Sequence, residues 1–216
     1  MSFLKDTNPV RKAIAYIAEN NGKAALEILK ETLKHEDWSI RSYAAQIIGE
    51  LGKINPELVV SGEIIETLIN TMKNDKDGWV REAAAKAMGK IAAHIVLPTA
   101  DLKTIIEIFH NILESDDHEG ARGTAAQSLG DIGAKNPDLI IYSLPLLARS
   151  LKKDESWIVR YYAAYALGTI GAVRPKAVEK YLPILREKAE EDLDSGVRNS
   201  IKEALKKISQ AYNALE

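Results

Sequence analysis

The chain has 216 residues, 46% of them hydrophobic but only 6% aromatic, and a formal charge of −2. That balance argues against a general binder of nucleic acid or of an anionic membrane, although it leaves room for a local basic patch. Cysteine is absent, which removes disulfides and thiolate metal sites and fits a reducing cytoplasm.

The chain opens with MSFLKDTNPV, which lacks the basic-then-apolar pattern of a secretory leader. No uninterrupted apolar run approaches the ~18 residues of a membrane span. A first helix is predicted over 8–20, with Pro9 in its first turn and Asn20-Asn21-Gly22 at its end. Residues 24–34 follow as a second helix, with Leu26, Leu29 and Leu33 on one face. Then comes DWSIRSYAAQIIGELG around Arg41. It returns as DGWVREAAAKAMGKIA around Arg81, HEGARGTAAQSLGDIG around Arg122, SWIVRYYAAYALGTIG around Arg160 and DSGVRNSIKEALKKIS around Arg198. The arginines are 40, 41, 38 and 38 residues apart, and TNPVRKAIAYIAENNG around Arg11 lies only 30 before Arg41, as a half-unit would. Self-similarity at about 40 residues is the signature of stacked repeats.

Between the copies, helices are predicted at about 62–73, 101–114, 142–152 and 178–191. Pro56, Pro137 and Pro175 each fall fifteen residues after an arginine, with Pro98 slightly later in its unit. They are expected to stop the long helix once per repeat. The expected division is a half-repeat at 8–22 and full repeats at 24–55, 62–97, 101–136, 142–174 and 178–213, forming one solenoid over 1–216.

At about 100° per residue, Val159, Ala163, Ala166, Leu167 and Ile170 share a third of the helix circle, as do Val80, Ala84, Ala87, Met88 and Ile91. This is the expected buried stripe. Gly49, Gly89, Gly130 and Gly168 sit inside the helix, where glycine costs about 1 kcal/mol relative to alanine. Repetition of that cost implies close approach of a neighbouring helix. In the last copy Lys206 replaces the glycine among Lys202, Glu203 and Lys207, as a solvent-facing cap would have it.

Arg41, Arg81, Arg122, Arg160 and Arg198 read as a structural ladder. Asp37, Asp77 and Asp194 stand four residues before their arginines, where an aspartate can cap the helix and can meet the arginine of a stacked neighbour. His118 and Ser156 replace that aspartate in two units, where the ladder should be weakest. The competing reading is a row of arginines for phosphates.

The pattern of Asp, Val-Arg, Ala-Ala, Ala-Leu-Gly and Ile-Gly resembles the HEAT repeat, especially its short prokaryotic and archaeal form, over almost the whole chain. The resemblance implies an all-α fold, a right-handed α-α superhelix of about eleven helices, with outer and inner helices paired antiparallel. It implies a role in protein–protein assembly rather than one particular function.

No catalytic set emerges. His35, His94, His110 and His118 form no i, i+4 metal pair, and GDIGAK around Gly130 lacks the spacing and strand of a P-loop. No cofactor or metal is expected. One line of residues stands out. Tyr161 lies opposite the buried stripe of its helix, flanked by Trp157 and Tyr165, on what should be the concave face. Glu119, Gly123, Gln127, Glu82 and Lys86 occupy the matching positions of the neighbouring copies. Gly123 is expected to leave room beside Tyr161, and the polar residues to rim a partner-binding surface.

The expected function is a monomeric, non-enzymatic scaffold that binds a protein or peptide, with nucleic acid disfavoured and no membrane contact. The alternative is a DNA-binding repair protein resembling the HEAT-like alkylpurine DNA glycosylases, whose inner-face aromatics Trp157 and Tyr161, with Glu119 and Lys86, imitate in part. A resemblance to HEAT-like bilin lyases singles out no chromophore residue.

Overall fold

The computed structural model describes residues 8–60 and 63–214. The opening residues 1–7, read above for a leader, and Gly62, the expected first residue of the second repeat, lie outside them. Among the described residues there is no strand, and eleven helices have ten residues or more. The chain divides into two compact units, Met1–Leu97 and Pro98–Glu216.

The first unit contains α1 (Pro9–Ala18), α2 (Gly22–Thr32), α3 (Trp38–Ile54), α4 (Pro56–Val60), α5 (Ile64–Asn74) and α6 (Gly78–His94). α1 packs on α2, α2 on α3, α3 on α6, and α5 on α6. The second contains α7 (Thr99–Ser115), α8 (Glu119–Lys135), α9 (Pro137–Ile140), α10 (Leu144–Lys153), α11 (Trp157–Val173), α12 (Pro175–Val178), α13 (Leu182–Glu191) and α14 (Ser195–Asn213). α8, α11 and α14 stack in order, with α7, α10 and α13 packed on their partners. α3, α6, α8, α11 and α14 thus each carry one copy of the repeated stretch.

The starts of these helices are encoded locally. The Asp37 carboxylate accepts the backbone N–H of Ser39 at 2.8 Å, Asp77 that of Trp79 at 3.0 Å, and Asp194 that of Val197 at 3.0 Å. Such caps contribute about 1 kcal/mol each. α1 ends on Asn20 at φ 58°, a left-handed conformation that asparagine tolerates better than most residues.

The prolines do more than stop a helix. Asn55, Asn136 and Arg174 close α3, α8 and α11 outside the helical region, with ψ of 70°, 58° and 66°, and the following proline opens a helix of one turn, α4, α9 or α12. Proline forces the residue before it out of the helical region, while its own fixed φ suits a first helical position.

The expected stripe is the core. Val159, Ala163, Ala166, Leu167 and Ile170 are fully buried, and so are Val80, Ala84, Met88 and Ile91. The in-helix glycines explain the stacking distance. A Cβ on Gly49 would lie 2.8 Å from Ala87 Cα, one on Gly130 2.7 Å from Ala166 Cα, and one on Gly168 2.6 Å from Ala204 Cα. A second glycine one turn on does similar work. Gly52, Gly133 and Gly171 receive Ile91, Ile170 and Ile208 of the next helix, together with Val59, Ile140 and Val178 from the one-turn helices. α14 buries Val197, Ile201, Ala204 and Ile208, while Lys202, Glu203, Lys206 and Lys207 are exposed.

Candidate binding surfaces on the arginine-bearing helices

The ladder forms, but through acids other than those expected. Arg41 donates from Nε and Nη2 to the two carboxylate oxygens of Asp75, at 2.7 and 2.8 Å, and from Nη1 to the carbonyls of His35 and Glu36. Arg122 grips Asp154 at 3.0 Å through both nitrogens, and Arg160 grips Asp192 at 2.8 and 3.0 Å. Each guanidinium therefore ties its own inter-helix turn to the turn of the next repeat. Asp37, Asp77 and Asp194 are caps, not ladder partners, because each spends a carboxylate oxygen on the helix end. The partner stands two residues earlier, where it also accepts the backbone N–H of the capping residue: Asp75 from Asp77, Asp154 from Ser156, Asp192 from Asp194.

Nor is the ladder weak beside His118 and Ser156, since the side chain of the cap residue plays no part in the grip. Arg122 and Arg160 both have full bidentate partners. Arg81 donates to the carbonyl of Asp75, and Arg198 to those of Asp192 and Leu193. The recurring signal for the partners was the aspartate two residues before the cap, Asp75, Asp154 or Asp192, present whatever occupies the cap. Arg41, Arg122 and Arg160 are committed to the fold, and their pKa values are raised further by the carboxylate hydrogen bonds.

The four histidines also serve local structure. His35 Nδ1 accepts the Asp37 N–H, His118 Nδ1 accepts that of Ala121, and His94 Nδ1 pairs with the Lys90 carbonyl. His110 Nε2 lies 2.6 Å from Ser143 Oγ, and its ring meets Tyr142 edge-on; burial lowers its pKa. Among the described residues no cluster of three His, Asp or Glu side chains could hold a metal.

The aromatic line of α11 divides into exposed and committed members. Trp157 is 51% exposed. Tyr161 is half-buried, edge-on to Tyr162 at 5.2 Å, so it is not the most exposed ring of the line. The Tyr165 hydroxyl donates to Asp131 Oδ1 of α8 at 2.8 Å, and Lys207 Nζ of α14 lies 5.4 Å from its ring centre. Burial, then the Asp131 carboxylate, push its phenol up to about 12. Gly123 does not open space beside Tyr161: a Cβ there would meet Ile158 Cγ2 at 2.8 Å and Tyr162 at 3.3 Å. The helix is turned so that the residues two before and two after the arginine fill the gap. Glu119 is exposed in the first turn of α8, and Gln127 is half-buried.

The first unit holds a more open site. A groove of about 510 Å³ is bordered by Ile14 of α1, by Tyr43, Gln46 and Glu50 of α3, and by Trp79, Glu82, Lys86 and Lys90 of α6. Tyr43 is 55% and Trp79 57% exposed. Ile47, Ala83 and Ala87 add apolar lining. Lys90 and Glu50 pair with each other across the groove. Of the expected residues, Glu82 and Lys86 are here. Tyr43 and Trp79 were missed because the wheel was read one position off. The groove face of these helices includes the residue two before the arginine on α6 and the residue two after it on α3.

The family model for HEAT repeats matches residues 106–206, and that for a HEAT repeat matches residues 64–95. The chain belongs to the HEAT-repeat family. Among curated proteins, the serine/threonine-protein kinase TOR2 of Saccharomyces cerevisiae is 24% identical over 117 residues, which is 52% of this chain and 5% of the kinase. This HEAT-repeat chain thus spans a small fraction of that relative's length. Among solved structures, an engineered protein aligns with a TM-score of 0.67 at 21% identity, covering 97% of this chain and 94% of that one. Computationally designed armadillo repeat proteins for modular peptide recognition align with a TM-score of 0.64 at 19% identity, covering 91% and 85%. These likenesses establish an all-α helical-repeat fold. Among the described residues no helix is long and apolar enough to cross a membrane.

Proposed function

We propose that this HEAT-repeat chain is a non-enzymatic scaffold that binds a protein or peptide through exposed aromatic side chains on its arginine-bearing helices. The observation that carries the reading is the groove of α3 and α6, with two aromatic rings more than half exposed above an apolar floor. Its volume lies in the range of ligand sites. Large rings concentrate interface energy because they bury much area and lose little side-chain freedom. Trp157 and Tyr161 of α11, with Glu119 and Gln127 of the adjacent α8, are a second candidate surface. On this reading the chain works as a monomer in the cytoplasm, supported by its cysteine-free composition. Phosphate recognition is disfavoured because the ladder arginines are engaged in the fold and Glu50 and Glu82 line the groove.

The test is selection from a displayed library of random peptides on the full chain, followed by calorimetry at low and high salt. Peptides should be enriched, should lose about 2 kcal/mol or more when the ring they contact is replaced by alanine (Trp79, Trp157 or Tyr161), and should respond modestly to salt. No enrichment over a folded variant lacking all three rings ends this proposal. A preference for oligonucleotides with a steep loss of affinity in salt replaces it with the nucleic-acid reading.

A further inference from the structure

The groove in the first unit is chemically specific enough to define its occupant, given the scaffold reading above. Its charges are not equivalent. Lys90 and Glu50 neutralise each other. Glu82 is half-buried, so its charge is part of the wall. Lys86 is exposed on the groove and makes no hydrogen bond or ion pair among the described residues, although its charge is felt by Glu50, whose own partner is Lys90. It is seven residues after Trp79 on the same helix, which places the two about two turns, or ~10 Å, apart along α6. An extended chain covers ~10 Å in about three residues.

We infer that the groove takes a short extended peptide carrying an apolar or aromatic side chain and, about three positions away, a single Asp or Glu. The apolar side chain lies against Trp79, Tyr43 and Ile14, and the carboxylate meets Lys86. With Glu50 already paired, Lys86 can answer one carboxylate only; a second acid is opposed by Glu82, and so is a nucleic-acid backbone, whose phosphates repeat along its length. A basic residue at the Lys86 position is opposed by the ammonium itself.

The test uses the full chain and a displayed peptide library with one fixed tryptophan or leucine and randomised neighbours. Wild type should enrich Asp or Glu at the third position from the fixed residue. Lys86→Glu, a change at an exposed position whose fold is checked by circular dichroism, should move the preference at that position to Lys or Arg and weaken the original peptides by about tenfold or more. Trp79→Ala should abolish the selection while circular dichroism shows an intact fold. Peptides that depend on Trp157 or Tyr161 and ignore Lys86→Glu overturn this inference while leaving the scaffold proposal standing. Failure of any peptide to bind overturns both. Preferential binding of a single-stranded oligonucleotide, lost in Lys86→Glu, also overturns it.

Discussion

Arg160 and Asp192 meet fork to fork across two turns of the second unit, Nε to Oδ2 at 2.8 Å and Nη2 to Oδ1 at 3.0 Å. The carboxylate side chain is only 2% exposed. The third nitrogen of the same guanidinium bonds the carbonyls of Asp154 and Glu155. One side chain thus closes its own turn and binds the next.

Arg160→Ala should therefore be costly, because it strands a buried carboxylate as well as removing hydrogen bonds. We expect a loss of about 3–5 kcal/mol in unfolding free energy by chemical denaturation. Arg198, which donates to the carbonyls of Asp192 and Leu193, should cost only about 1–1.5 kcal/mol on replacement by alanine. Equal losses for the two would mean that the carboxylate grip contributes nothing.

The same pair sets a pH dependence. Burial raises the Asp192 pKa, but the Arg160 hydrogen bond and the Asp194 N–H outweigh it, and the net value lies below the ordinary 3.8. The folded protein therefore binds this proton less tightly than the unfolded chain. The contribution is full above the unfolded value and is lost as pH falls through the lowered folded value. Melting temperature measured from neutral pH down to about pH 2 should fall less steeply at its acid end in Asp192→Asn than in wild type. Parallel curves would contradict the linkage.

Close helix stacking predicts the effect of adding one carbon. Gly168→Ala gains about 1 kcal/mol in helix propensity, yet its Cβ would stand 2.5 Å from Ala204 Cβ and 2.6 Å from Ala204 Cα. Backbone cannot yield as a flexible side chain does, so overpacking of about 1–3 kcal/mol should prevail. Lys206→Ala, at the equivalent exposed position of α14, should change stability by less than about 0.5 kcal/mol. Thermal melts of the two variants test the contrast; a stabilised Gly168→Ala would show that the helices can separate at no cost.

Much of this fold was legible in one dimension. The arginine register located the five long copies, and helical periodicity identified Val159 to Ile170 as core. The repeated glycine announced a close neighbour before any neighbour was seen. The site was less legible. Tyr165 looked like a binding ring and is tied to Asp131 of the adjacent helix. Tyr161 lies opposite the buried stripe on the wheel, yet Trp157 is the more exposed ring. A helical wheel reports the angle at which a side chain leaves its own helix, but not what the next helix places against it.

The sequence by itself determined the repeat, its period, the helix starts and the all-α class. Those properties rest on interactions within a few residues, such as the Asp77 cap and the proline after Asn136, or on a periodicity that every copy restates. Tertiary structure decided which acid each arginine takes, and which aromatic rings remain available. Asp75 and Asp77 differ by two positions in sequence and are the same residue type. Their roles part because one carboxylate turns back to its own helix, while the other faces Arg41 of the preceding repeat. Tyr43 and Trp79 became a candidate site for the same reason: each lies one position along its helix from the expected line, and only the packing of α3 on α6 brings the two to one groove.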